Sequence, residues 1–460
     1  MTATPTPTTQ DAGLTRPPRA GLRPRGHPGW VVAGSLAAGL TSAVLLAGAP
    51  FVPATEDGVT GAILCGFALG WTMLAVLSAV FTDQPQPWAL VPALFMGLGG
   101  LLLMMVGTPV RDVLNWMWPP ALLVLAIWMI VRTRRGLRSR SRWFLYPVIA
   151  VLVLAALGGG YETVGEAVDA KAYPMPGQLI DVGGHSLHLS CTGSGSPTVV
   201  LEPGLGEMSS NMGWIAPVVA SDTRVCVYDR AGRGWSQPAD TAQDGTQIAT
   251  ELHTLLQRGH VPGPYVLAGH SFGGLYVLAF AARYPDDVAG MVLVDSTAPK
   301  PAAEPGAAAP DGNATGLIAR VTAGLSISAR LGLGRLYALV AFDSLPPQSR
   351  DEVRASLATP SNLRSAVDEF VQANTAMRQA GTLTDFADKP LVVLTAGVGS
   401  DAAHSASQNH LATLSTNSVH HVVDGADHEA LVADQEHAAA TTQAIVDVVA
   451  SVRNTRPLIR

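Results

Sequence analysis

Lysine is almost missing from this chain. Of its 29 basic side chains only Lys171, Lys300 and Lys389 are lysines, the others being arginine. Beside abundant alanine, that skew reads as the bias of a GC-rich bacterial genome and carries no mechanism. Charge is scarce as well, at 14% of residues with a net of -6. No basic cluster interleaved with aromatics occurs away from the apolar stretches, so nucleic acid is not expected as a partner. Three cysteines, Cys65, Cys191 and Cys226, permit at most one intramolecular bridge. Metal-ligand spacing is lacking too. Asp401, His404 and His410 lie close in sequence, but positions on a loop or helix surface account for them, and neither metal nor cofactor is expected.

What the chain has in quantity is apolar sequence, 48% of 460 residues, and it is unevenly spread. The length allows two or three domains. Residues 1–28 are rich in Pro, Thr and Arg without apolar periodicity and read as a disordered tail. Residues 29–160 hold five apolar stretches, about Trp30 to Val52, Val59 to Phe81, Trp88 to Val106, Val113 to Val131 and Trp143 to Leu157. Each approaches the roughly 20 residues that cross a bilayer, the last being the shortest. None carries a charged residue or histidine at its centre, so an ion or proton path is not indicated, and the region is expected to act as an anchor in the lipid bilayer. Trp30, Trp88, Trp116, Trp118 and Trp143 lie near stretch ends, as interfacial anchors do.

Arginine placement supplies a topology. Arg16, Arg19, Arg23 and Arg25 precede the first stretch, and Arg132, Arg134, Arg135, Arg138, Arg140 and Arg142 follow the fourth. Positive loops stay cytoplasmic, and four crossings return the chain to the same side. The fifth stretch then delivers the remainder outside the cell membrane. Were only four stretches to span, that remainder would be cytoplasmic. A cleaved signal peptide in place of the first stretch would change little in a multi-pass reading.

After a linker at 161–177, short apolar runs alternate with helical patterns. Strands are predicted at Gln178 to Val182, Ser186 to Cys191, Thr198 to Glu202, Arg224 to Asp229, Tyr265 to Ala268, Met291 to Asp295, Leu391 to Ala396 and Val419 to Val423. Short, fully apolar strands between amphipathic helices specify an α/β unit with a mostly parallel eight-stranded sheet buried on both faces. The core is expected at 178–295 and 387–455. Residues 296–386 interrupt it with helical patterns at Gly316 to Ala341 and Ser361 to Ala380, and read as a lid.

Ser271 stands between an apolar strand and a helix, within Gly269-His270-Ser271-Phe272-Gly273. A strand-to-helix turn that sharp requires nearly side-chainless neighbours two residues away on either side, and it sets the hydroxyl before the helix N-terminus. With Leu201 to Gly206, Tyr228 to Ser236 and Gly425 to His428, this motif makes residues 178–455 resemble the α/β-hydrolase fold family, with Ser271 as nucleophile. The family often has His-Gly where this chain has Pro203-Gly204. The resemblance implies an oxyanion hole from the backbone N–H groups of Leu205 and Phe272, and His428 as general base after the last strand. Two residues compete as the acid: Asp295, at the end of the strand after the nucleophile helix, and Asp401, beyond the next strand. Asp295 is favoured, since Asp401 follows Gly397 by more than the family's usual interval. Asp229 and Arg230 are expected to brace their loop.

In this fold the strands carrying Cys191 and Cys226 are neighbours, so the two either form a disulfide or remain buried thiols. The expected activity is hydrolysis of a carboxylic ester or related acyl compound, a small-molecule substrate that the lid and bilayer suggest is hydrophobic. An aminopeptidase or amidase of the same fold is the alternative, acyl transfer and cofactor-free haloperoxidase chemistry being further possibilities. A binding or transport-accessory module is the non-enzymatic one.

Overall fold

The computed structural model describes residues 27–137, 140–301 and 312–459, so the expected tail lies outside the described residues but for its last two positions. Five helices come first: α1 (Pro28–Gly48), α2 (Glu56–Phe81), α3 (Leu90–Val106), α4 (Thr108–Gly136) and α5 (Leu145–Ala172). All five, α3 and α5 together with the short turns that lead into them, are long and apolar enough to cross a membrane. Their caps follow from sequence. The Thr55 hydroxyl accepts the Gly58 N–H at 3.1 Å, and Glu56 and Asp57 stand in the first turn, where carboxylates complement the helix dipole. The expected linker at 161–177 is helical as far as Ala172. Its acidic face explains this, because Glu162 and Asp169 pair with Arg335 of the lid at 3.1 and 2.7 Å.

The remainder is built on an eight-stranded sheet. Its strands are β1 (Gln178–Asp181), β2 (Ser186–Thr192), β3 (Thr198–Glu202), β4 (Val225–Tyr228), β5 (Tyr265–His270), β6 (Val288–Val294), β7 (Leu391–Ala396) and β8 (Ser418–Val423). They lie in the order β1-β2-β4-β3-β5-β6-β7-β8. The first two pairings are antiparallel and the others parallel. β3, β5 and β7 are buried at every position, as strands covered on both faces must be. α7 (Gly245–Arg258) and α8 (Phe272–Arg283) pack with one apolar cluster around Leu267 and Phe280. α6 (Ala216–Asp222) and the C-terminal α15 (Gln435–Asn454) contribute to another, around Val266 and Ile445.

Between β6 and β7 the lid consists of α9 (Gly312–Arg330), α10 (Leu333–Ala338), α11 (Pro347–Leu357) and α12 (Pro360–Ala380). The single helix predicted over Gly316 to Ala341 is broken at Gly332, whose φ of 81° no continuing helix allows. α11 escaped the sequence reading because its face is largely polar; Pro347 opens it in the first-turn position that proline tolerates. α13 (Ala402–Ala412) follows β7, and the short α14 (Ala430–Ala433) follows β8.

Candidate active site

β5 ends at His270, and α8 begins at Phe272, so the chain reverses within one residue. Ser271 absorbs the turn with φ 53° and ψ -120°, a conformation that costs a side-chain-bearing residue on the order of 1–3 kcal/mol. The flanking glycines are obligatory: a Cβ on Gly269 would meet the Gly273 carbonyl oxygen at 2.6 Å, and one on Gly273 would meet that of Glu202 at 2.3 Å. The elbow is tied to β6, the Ser271 N–H donating to Val294 O at 3.0 Å and the Thr297 N–H to Ser271 O at 3.0 Å.

Asp295 follows β6 directly. Its Oδ2 accepts from His428 Nδ1 at 2.6 Å, while Oδ1 accepts from His404 Nε2 at 2.7 Å and from the Ala396 N–H at 3.1 Å. Burial opposes its charge, yet the hydrogen bonds from His428 and His404 hold the carboxyl far below the usual carboxylate range. Asp401 is engaged elsewhere: it caps α13, its Oδ1 accepting the His404 N–H at 2.7 Å. The structure thus brings Asp295, not Asp401, to His428. His404, expected on a loop or helix surface, instead meets Asp295. The signal that could have found it is its place in the first turn of the helix after β7, on the sheet edge where Asp295 ends its own strand.

His270 lies beneath this pair. Its ring stands 4.7 Å from that of His428, its Nε2 donates to His428 O at 3.1 Å, and its Nδ1 donates to Glu207 at 3.2 Å. Both ring nitrogens therefore face acceptors, which favours the imidazolium. Burial works against that charge, but the Glu207 carboxylate prevails and the pKa is pushed up to about 9.

Glu207 also accepts the Gly204 N–H, and Arg230 donates to Pro203 O at 2.8 Å and Gly204 O at 2.6 Å. The loop bearing Leu205 is held from both sides. A Cβ on Gly204 would lie 3.1 Å from Ser271 Cβ, so this loop runs beside the elbow. The Phe272 N–H is one of the first-turn donors that no helical carbonyl can satisfy. Arg230 reaches the lid as well, pairing with Glu369 at 2.9 Å and with Glu202 at 2.7 Å in a fully buried network. Asp229 braces the same turn, accepting the Ser209 and Trp235 N–H groups at 2.7 and 3.1 Å. Cys191 and Cys226 face each other across β2 and β4 and are joined as a disulfide.

A family model described as alpha/beta hydrolase fold matches residues 197–379. Over 155 residues the chain is 33% identical to an uncharacterized protein of Schizosaccharomyces pombe, covering 27% of this chain and 29% of that one. Over 103 residues it is 32% identical to the uncharacterized protein YqjL of Bacillus subtilis, covering 22% and 41%. The matches thus span less than half the length of these curated relatives. Among solved structures, the enol-lactonase of Burkholderia xenovorans aligns with 59% of this chain and 100% of its own, at 20% identity and a TM-score of 0.45. Sheet order, elbow and family match together define an α/β-hydrolase fold preceded by five long apolar helices that could span a membrane.

Proposed function

We propose that the chain is a membrane-anchored serine hydrolase that cleaves a carboxylic ester or related acyl compound through an acyl-enzyme. The observation that carries this reading is the 2.6 Å bond from His428 to Asp295 beside the strained elbow of Ser271. Ser271 Oγ attacks the acyl carbon while His428 Nε2 takes its proton, Asp295 holding the Nδ1–H tautomer. The oxyanion is received by the N–H groups of Leu205 and Phe272. His428 returns the proton to the departing alcohol. Water then attacks the acyl-enzyme with His428 again as base, releasing the acid and restoring Ser271.

The fixed side of the sheet supports a place outside the cytoplasm. Arg320 of the lid donates to the carbonyls of Ala49 and Val52, and Arg330 pairs with Glu56, so the α1–α2 connection shares a face with the hydrolase. Five crossings leave Arg132, Arg134, Arg135 and Arg142, near the α4–α5 connection, on the opposite face, the arrangement that positive loops favour when that face is cytoplasmic. A disulfide fits the same orientation.

Full-length protein assayed against p-nitrophenyl esters of graded acyl length and against aminoacyl amides tests the reading. Ester turnover that Ser271→Ala removes is the expected result. Cleavage of amides alone would favour the peptidase alternative, and no turnover of either would speak against hydrolysis.

A further inference from the structure

Helices α2 to α5 and the lid helix α9 line a partly open cavity of about 310 Å³, at the lower edge of the roughly 300–1,000 Å³ typical of small-molecule sites. Its lining is ordered along the helices. On α2 it includes Glu56, Thr60, Ile63 and Phe67, one face of the helix, and on α4 Arg111, Leu114, Trp118 and Leu122 in the same spacing. Each row spans eleven residue steps, or about 16 Å at 1.5 Å per residue. Both rows begin with charge at the lid end and finish apolar in the depth of the bundle. On α5, which runs the other way, Thr163 and Gly159 line the lid end and Val151 the deep end.

The lid end is a closed ionic ring. Arg111 Nη1 contacts both Asp57 oxygens at 3.1 and 3.2 Å, Arg330 pairs with Glu56, and Arg364 approaches Glu56 at 3.5 Å. Arg111 Nε is nonetheless buried with no hydrogen bond among the described residues, and Glu56 Oε2 meets Arg364 and Arg111 only at ion-pair distances of 3.5 and 3.7 Å. Buried polar atoms in folded proteins are nearly always bonded, so this ring retains capacity for a polar group. The deep end offers water no partners, and an apolar cavity of that kind stays dry or takes an apolar occupant. Ile327, Arg330 and Leu331 of the lid side close the same chamber. A chamber about 16 Å long, polar at one end and apolar at the other, lined by helices long and apolar enough to cross a membrane, has the form of a single-chain amphiphile.

We propose that this cavity binds the acyl chain of a single-chain amphiphile, tail between α2 and α5 and polar head at the Glu56, Arg111 and Arg330 ring. The membrane third is then a lipid-binding chamber as well as an anchor. This inference does not rest on the hydrolase chemistry.

The test uses the full chain in a sterol-class detergent, which carries no acyl chain, and follows the fluorescence of added cis-parinaric acid. The wild type should take up one probe per chain, saturably. Leu114→Trp and Ile63→Trp each add bulk to the wall and should weaken uptake by roughly tenfold or more, with elution volume and melting temperature near those of the wild type. Failure of the wild type to bind saturably overturns the proposal. So does undiminished uptake in either variant that elutes and melts like the wild type.

Discussion

The two regions of this molecule bury polar groups in opposite ways. The hydrolase region takes charges into its centre and satisfies them there: Arg230 and Arg233 are nearly inaccessible yet each meets Glu369, and Asp295 receives two histidines and a backbone N–H. The N-terminal helical third keeps most of its buried positions apolar and brings its helices together through small residues. A Cβ on Gly66 would lie 2.3 Å from the Ala43 backbone, so α1 and α2 touch almost main chain to main chain. Its carboxylates Glu56 and Glu162 lie at the end that meets the lid, where they pair with Arg330, Arg364 and Arg335. The contrast teaches where chemistry and packing reside. The polar groups around Ser271 gather at the sheet edge, and the bundle contributes close helix packing with ion pairs at its lid end.

Substitutions can break that contrast. The largest effect is expected at Asp295, where Asn should cut turnover by about 10⁴-fold through loss of the correct His428 tautomer. Asp401→Asn, which alters only a helix cap, should leave turnover close to wild type in the same ester assay. The buried His270 comes next. Its folded pKa of about 9 lies above the ordinary value of about 6.5, so its contribution to stability is complete below pH 6.5 and disappears as pH rises through 9. Denaturant unfolding should show the advantage of wild type over His270→Gln shrinking by about 3 kcal/mol between those limits. In the N-terminal helices, Gly66→Val should separate α1 from α2, costing about 1–3 kcal/mol and lowering the melting temperature. The hydrolase of any folded Gly66→Val molecules should keep its turnover number. Among the substitutions that lower turnover, His404→Ala has the milder effect. Removing one of the three hydrogen bonds to the Asp295 carboxylate should lower kcat by roughly tenfold with KM little changed.

Much of this architecture was legible in advance for a physical reason. Strands buried on both faces must be short apolar runs, and β3, β5 and β7 stand where such runs occur, whereas the edge strands β1 and β8 are partly exposed and more polar. The elbow was legible because its glycines are sterically compelled. What escaped depends on partners distant in sequence. The outer half of α5 looks like a polar linker until Arg335 is known to meet Glu162 and Asp169. His404 looks like a surface residue until Asp295, 109 positions earlier, is found against it. Asp295 and Asp401 both follow strands, and the interval after Gly397 favours Asp295 only slightly. The contact of Asp295 with His428 and the commitment of Asp401 to the α13 cap separate them in three dimensions.

The central claim is that Ser271 is a nucleophile activated by His428, and covalent labelling tests it most directly. Full-length protein treated with a fluorophosphonate probe, digested and mapped by mass spectrometry should carry the label on Ser271. Labelling should vanish in Ser271→Ala and fall steeply in His428→Ala. A folded wild type that takes no label, or takes it on another residue, would contradict the account.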